Sequence, residues 1–201
     1  MTTQTLPRYE TRKLAAVRAA ASVFAERGFH GASTKLIAES LGIKQASLYY
    51  YFKSKQQALA EVCLYALEDY VERLTLIDQS PQPFAAKLLA VFNAHLAAYR
   101  EKNEALKVYN DERLYLPEDA RTEIHQLGSG YRQLLESMFE RAVADGDLRA
   151  DVDCHFAAQA VIGIGNAWGD LIVRDASMDV ITLAQKCADM LMHGFTRTQP
   201  S

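Results

Sequence analysis

An all-α fold is what this sequence predicts, and two observations carry the prediction. Apolar residues recur at spacings of three and four along almost every segment. No stretch pairs strand-like alternation with a hairpin dipeptide. Roughly nine helices result, with no linker long enough to free any of them, which predicts a compact helical chain. The 201 residues suffice for one domain or two modest ones around a real core. A balance of 49% hydrophobic to 23% charged residues is that of a folded soluble protein.

Leu14, Val17, Ala21 and Phe24 stripe the first helix. Gly28 should stop it, because glycine takes up the left-handed conformation of a C-terminal cap at no steric cost. Ser33 or Thr34 caps a short second helix carrying Ile37, Ala38 and Leu41, which Gly42 ends. A third short helix covers about Gln45 to Tyr51. Ser54-Lys55-Gln56-Gln57 then reads as a capping box that opens a long fourth helix to about Ile77. The breaker "SPQP" at Ser80–Pro83 precedes a fifth helix to about Lys102, striped by Phe84, Leu88, Phe92, His95 and Tyr99. A shorter sixth helix follows from Asn103 to Leu114.

Pro117 suits a first helical position, and the helix dipole favours Glu118 and Asp119 beside it. This seventh helix carries Ile124, Leu127, Tyr131, Leu134, Met138 and Ala142 up to Gly146, with a weak middle and an expected kink at Gly128 and Gly130. Asp151 or Asp153 caps an eighth helix through about Val173, and Ser177 a ninth ending near Gly194. The eighth is apolar nearly all round, so it needs cover on more than one side. Its Gly163, Gly165, Ala167 and Gly169 open it to close approach by another backbone. Pairing of the last two helices with those of a two-fold mate, in a four-helix bundle, satisfies both demands.

Charge is unevenly divided. Residues 1–60 hold nine Lys and Arg against three Glu, a formal +6, while the remainder holds 13 basic and 22 acidic residues, a formal −9. A basic head on an acidic body points to a polyanionic partner for the head alone. Within that head, "KQASLYYYFKSK" sets Tyr49, Tyr50 and Tyr51 in a row. Successive helical residues point about 100° apart, so the three phenols cannot share one core. Leu48 and Phe52, four apart, anchor this segment against Ile37 and Leu41. Tyr49 and Tyr50 then face outward, with Tyr51 on the flank. Two short helices joined by the Gly42 turn form a helix-turn-helix. Phenols beside Lys44, Lys53 and Lys55 suit hydrogen bonding and neutralisation of phosphate.

The stretch "AAVRAAASVFAERGFHGASTKLIAESLGIKQASLYYYFKSKQQAL" resembles the N-terminal DNA-binding region of TetR-family transcriptional regulators. The pieces "FAERGF", "TKLIAESLGI" and "SLYYYFKSK" stand in order and at family spacing over about Leu14 to Leu59. The resemblance implies a three-helix DNA-binding domain, 8–53, and a larger helical domain for ligand binding and dimerisation, 54–196. It also implies a homodimer that reads a palindromic double-stranded operator. Carried over, Thr34 and Lys35 fall where the second helix touches DNA, and Lys44, Gln45, Ala46 and Ser47 where bases are read. Tyr49, Tyr50, Tyr51 and Lys55 fall on phosphate or sugar positions. Gln is able to pair with adenine and Lys with guanine, and the Ala46 methyl to touch thymine. Tyr51 stands where the family more often has histidine, and Lys44 where it often has a small capping residue.

Beyond Ile77 the resemblance thins. "GDLRADVD…AAQAVIGIGNAWGDLI" still resembles the eighth helix of family members that sense lipid-derived or acyl-CoA ligands. An effector site among the fourth to eighth helices draws on Phe92, His95, Tyr99, Tyr109, Tyr131, Asn166 and Trp168, a mainly apolar set with a few polar anchors. The fourth helix, beginning at Lys55 and ending among residues such as Cys63 and Tyr70, links that site to the head. The expected function is ligand-responsive repression, with release from the operator by a small, mainly hydrophobic effector. The alternative is a DNA binder of the same fold, architectural or governed by a protein partner. No P-loop, G-x-S-x-G, H-E-x-x-H or C-x-x-C motif is present, so no enzyme and no cofactor is expected. Cys63, Cys154 and Cys187 lack metal-like spacing and read as reduced thiols. No apolar run approaches a membrane span and "MTTQTLPRYE" lacks a signal's apolar core, which predicts a cytoplasmic protein with frayed ends at Met1–Pro7 and Thr196–Ser201.

Overall fold

The computed structural model describes residues 8–175 and 177–195, and every regular element among them is a helix. In chain order these are α1 (Arg8–Gly31), α2 (Thr34–Ser40), α3 (Gln45–Leu48), α4 (Lys55–Leu67), α5 (Tyr70–Asp78), α6 (Phe84–Glu101) and α7 (Asn103–Glu112). A 3₁₀ turn at Arg113–Tyr115 leads to α8 (Glu118–Ala144), α9 (Cys154–Arg174) and α10 (Val180–Phe195). The expected frayed ends, Met1–Pro7 and Thr196–Ser201, lie outside the described residues. Two compact units emerge: the chain up to Glu68 with Glu104–His125, and Asp69–Asn103 with Gln126 onward.

The first unit is built on α1, against which α2 and α4 pack, with α3 on α2. Gly28 lies at φ 67° and ends the regular path of α1, as its lack of a Cβ allows. Ser33 is the cap of α2, its Oγ accepting from the Leu36 N–H at 3.2 Å. The third helix is shorter than its spacing predicts: α3 ends at Leu48, and the amides of Tyr51 and Phe52 fold back to the Leu48 carbonyl at 2.9 and 3.1 Å. That tight turn lets Leu48 and Phe52 both reach the core with Phe24 and Ile37. The box at Ser54 is half made. Ser54 Oγ accepts from the Gln57 N–H at 3.1 Å, whereas Gln57 Oε1 reaches the Lys53 N–H, one residue earlier than expected.

The long fourth helix is in fact two. Glu68 turns to an extended backbone and Asp69 adopts φ 70°, the left-handed region that aspartate tolerates better than most residues. Lys102 Nζ lies 3.6 Å from the Asp69 carboxylate. No glycine or proline marked the break, so the apolar spacing ran across it.

In the second unit α6 is the central helix, packed by α5, α9 and α10. Leu88, Phe92, Leu96, Leu135, Phe139 and Val161 form the heart of its core. α8 continues as one helix through Gly128 and Gly130. Asp153 caps α9 by accepting from the Phe156 N–H at 2.9 Å. At α10, Asp179 takes the capping role expected of Ser177 by accepting from the Ile181 N–H at 3.1 Å; Ser177 bonds instead to Asp175.

α9 also corrects the reading of its glycines. A Cβ on Gly165 would lie 2.6 Å from His95 Cδ2, and one on Gly169 would overlap the Tyr99 ring. These glycines therefore admit two rings of the same chain, not another backbone. Gly163 and Ala167 are exposed. By length and composition α9 is apolar enough to cross a membrane, a test that the core helix of a soluble protein also passes. Its large apolar residues are interrupted by glycines, Gln159, Asn166 and Asp170, so they form no continuous run.

Candidate functional site

The first unit presents one continuous polar and aromatic surface at α2, α3 and the turn after it. Leu48 is buried, and the residues around it are thereby turned outward: Lys44, Gln45, Ala46 and Ser47 are all exposed. Tyr49 and Tyr50 are 50% and 72% exposed, while Tyr51 is half-buried. Gln45 Nε2 donates to Thr34 Oγ1 at 2.9 Å, which ties the start of α3 to the start of α2. Lys35 is exposed, 3.8 Å from Glu39. The tyrosines are propped from α1: the Tyr9 ring meets Tyr50 edge-on at 5.5 Å and stacks on Tyr51 at 6.3 Å. Lys55 differs from the rest of the set. Its ammonium donates to the carbonyls of Phe29 and Ala32 at 2.8 and 3.0 Å and lies 4.3 Å from the centre of the Phe29 ring. It thus caps the irregular end of α1 while only partly exposed. Exposed amide, hydroxyl and ammonium groups of this kind are chemically suited to base edges, and the phenols to phosphate oxygens.

The second unit gathers Phe92, His95, Tyr99, Tyr131 and Asn166. Phe92 is fully buried and His95 is 4% exposed. Asn166 Oδ1 takes two contacts, His95 Nε2 at 3.0 Å and the Tyr99 hydroxyl at 3.0 Å. A carbonyl oxygen only accepts, so Nε2 carries the proton and Nδ1 presents a lone pair. Tyr70, the first residue of α5, meets His95 edge-on at 5.6 Å and Tyr131 at 5.5 Å. Burial pushes the His95 pKa down to about 4, against a smaller upward pull from Asn166. Burial likewise pushes Tyr70 and Tyr131 far up, so both phenols stay protonated. Trp168 is half-buried against the same core. Tyr109 lies on α7 in the first unit, with Arg113 5.5 Å from its ring centre. Cys63 is fully buried there, its thiol pushed up to about 12 by desolvation and so unreactive. Among the described residues no group of His, Cys, Asp and Glu is placed to hold a metal.

Residues 16–62 match the model of bacterial regulatory proteins of the tetR family, and residues 81–195 that of the tetracyclin repressor-like C-terminal domain. KstR2 of Rhodococcus jostii (strain RHA1), an HTH-type transcriptional repressor, is 32% identical over 139 residues, spanning 69% of this chain and 68% of that protein. The chain belongs to the TetR family of bacterial regulatory proteins. It is accordingly a DNA-binding transcriptional regulator, and its relatives are named transcriptional repressors or regulators and not enzymes. PfmR, a TetR-family regulator of Thermus thermophilus, shares the fold with a TM-score of 0.82 at 25% identity, covering 90% of this chain and 99% of its own. FadR of Bacillus subtilis, solved in complex with stearoyl-CoA, has a TM-score of 0.75 at 22% identity, covering 90% and 98%.

Two features of this TetR-family chain escaped the sequence reading. Tyr9 stands 41 residues before Tyr50, and no local pattern connects them. The pairing of Gly165 with His95 and of Gly169 with Tyr99 had a visible signal, glycines four apart on an apolar helix. That signal did not say which neighbour used the space.

Proposed function

We propose that this TetR-family regulator is a homodimeric repressor that binds a palindromic operator through residues 8–53 and is released by a small, mainly hydrophobic effector bound within residues 54–196. The observation that carries the DNA reading is the split at α3: Leu48 and Phe52 are buried while Lys44, Gln45, Ala46, Ser47, Tyr49 and Tyr50 are exposed on the other side. In this reading Lys44, Gln45, Ala46 and Ser47 meet base edges, and Thr34, Lys35 and the three tyrosines hold the backbone. Lys55 reaches phosphate only with what its two carbonyl bonds leave over.

Dimerisation through α9 and α10 is supported by their uncovered apolar residues, Phe156, Leu171, Ile181 and Met190, alongside exposed Gly163 and Ala167. Two exposed helical faces of this kind suit a four-helix bundle about a two-fold axis. An effector of lipid or acyl-CoA type is supported by FadR, solved with stearoyl-CoA, and by the aromatic and apolar interior of the second unit. Effector and operator oppose each other if each prefers a different arrangement of the protein, and the coupling is then reciprocal. We assign the protein to the cytoplasm, where operator and effector are both available.

Selection of bound sequences from random duplex DNA tests the reading. Two inverted half-sites at fixed spacing are expected, with affinity falling steeply as salt rises. Enrichment of a lone half-site would overturn the dimer, and no enrichment would overturn sequence-specific binding. Unchanged operator affinity at saturating stearoyl-CoA and shorter acyl-CoAs would overturn the acyl-CoA assignment.

A further inference from the structure

The buried cluster of the second unit has two polar atoms with nothing to bond to. His95 Nδ1 and Tyr70 Oη are both sealed from solvent and neither has a hydrogen-bond partner. Their rings lie edge to face with centres 5.6 Å apart, so both unsatisfied groups belong to one cluster of rings. Leaving a buried donor or acceptor unsatisfied costs about 1–3 kcal/mol each, and native interiors hold few such groups. An occupant that satisfies both is the simplest resolution.

The chemistry of that occupant follows from the partners. Asn166 holds His95 with its proton on Nε2, so Nδ1 accepts and must be met by an O–H or N–H. Tyr70 is protonated and both donates and accepts. Asn166 Oδ1 occupies the other ring nitrogen, and the rings of Tyr70, Tyr99 and Tyr131 lie beside the imidazole. A carboxylate or phosphate oxygen has no proton to give, so it would set lone pair against lone pair at Nδ1, and the nearby Arg73 is already engaged by Glu101. Phe92, Tyr131 and Leu135 make the surroundings apolar.

We propose that Tyr70 and His95 together read one uncharged, proton-donating group, a hydroxyl or an amide, on an otherwise apolar effector. This deepens, and rests on, the reading of the second unit as an effector-binding body. An acyl-CoA meets the requirement through the amides of its pantetheine arm or through a hydroxylated chain, but not through its thioester alone.

The test uses four matched probes on the full-length protein: 1-decanol, decanamide, methyl decanoate and decanoate. Binding is followed by thermal shift and calorimetry, in the wild type and in Tyr70→Phe and His95→Leu. The alcohol and the amide should bind about tenfold tighter than the ester and the acid, the worth of one to two hydrogen bonds. Each variant should level that preference while keeping affinity for the ester. Tyr70→Phe removes an unsatisfied hydroxyl, so it should fold at least as stably as the parent when unliganded. Equal binding of all four probes, binding of none, or a preference that survives both variants overturns the proposal and leaves a buried water as the occupant. Operator binding measured alongside separates the two readings. Probes that discriminate as expected but never alter operator affinity would uphold the Tyr70–His95 assignment and sink effector control. Release of operator by ester and alcohol alike would do the reverse.

Discussion

Acidification should expose His95 directly. Its imidazole is buried against Tyr70, Tyr99 and Tyr131, and burial lowers its pKa from the ordinary 6.5 to about 4. At about 1.36 kcal/mol per tenfold change in proton affinity, that gap is worth about 3 kcal/mol at most. As pH falls through about 6.5, the unfolded chain takes up the proton and the folded chain does not. The contribution is therefore whole above about 6.5 and drains away down to about 4. His95→Gln keeps an amide donor for Asn166 Oδ1 but has no proton to gain. Urea unfolding of both proteins from about pH 7.5 to about pH 4.5, at one fixed protomer concentration, isolates the effect because all other carboxylates and histidines are shared. The wild type should lose most of those 3 kcal/mol beyond what the variant loses. Parallel lines for the two proteins would refute the buried, neutral imidazole.

Four other outcomes follow from the structure. Gly165→Ala forces a Cβ to 2.6 Å from the His95 ring, so overpacking of about 1–3 kcal/mol should outweigh the helix-propensity gain of up to about 1 kcal/mol. Gly130→Ala has nothing within 4 Å and should stabilise by about 0.5–1 kcal/mol, both read by chemical denaturation. Gln45→Ala breaks only an exposed bond to Thr34, so stability should move by no more than about 0.5 kcal/mol while the selected operator loses about 1–3 kcal/mol. Equal losses on operator and random DNA in gel-shift titrations would show that Gln45 reads no base. Lys55→Met should cost about 1–2 kcal/mol of stability through the Phe29 and Ala32 carbonyls and weaken all DNA sequences alike. Full stability by thermal melt would contradict its capping role.

Much of this protein is legible in one dimension because helices write their packing into nearby residues. The spacing of Leu48 and Phe52 already implied that Tyr49 and Tyr50 face outward, and Ser33, Gly28 and Asp153 marked helix ends by local chemistry alone. The basic head and the order of "FAERGF", "TKLIAESLGI" and "SLYYYFKSK" carried the family. Where the reading failed, the deciding interaction came from far along the chain or from a conformation with no dedicated residue. Asp69 breaks a continuous apolar stripe through a left-handed turn that aspartate permits but does not announce. Tyr109 shares the aromatic character of Tyr99 and Tyr131, yet packing puts it in the first unit beside Arg113. Lys55 lies in the stretch that the resemblance assigns to DNA contact, and only the folded chain shows its ammonium engaged at the end of α1.

The sequence by itself determined the helical class, the outward-facing polar and aromatic segment around Leu48 and the regulator family, since all three depend on periodicity and short-range motif. Tertiary structure alone decided that His95, Tyr99 and Asn166 form one hydrogen-bonded group against Gly165 and Gly169, with Tyr70 against the imidazole. Hydrogen bonds and ring contacts between residues about 70 apart depend on which helix faces which, and no local pattern encodes that.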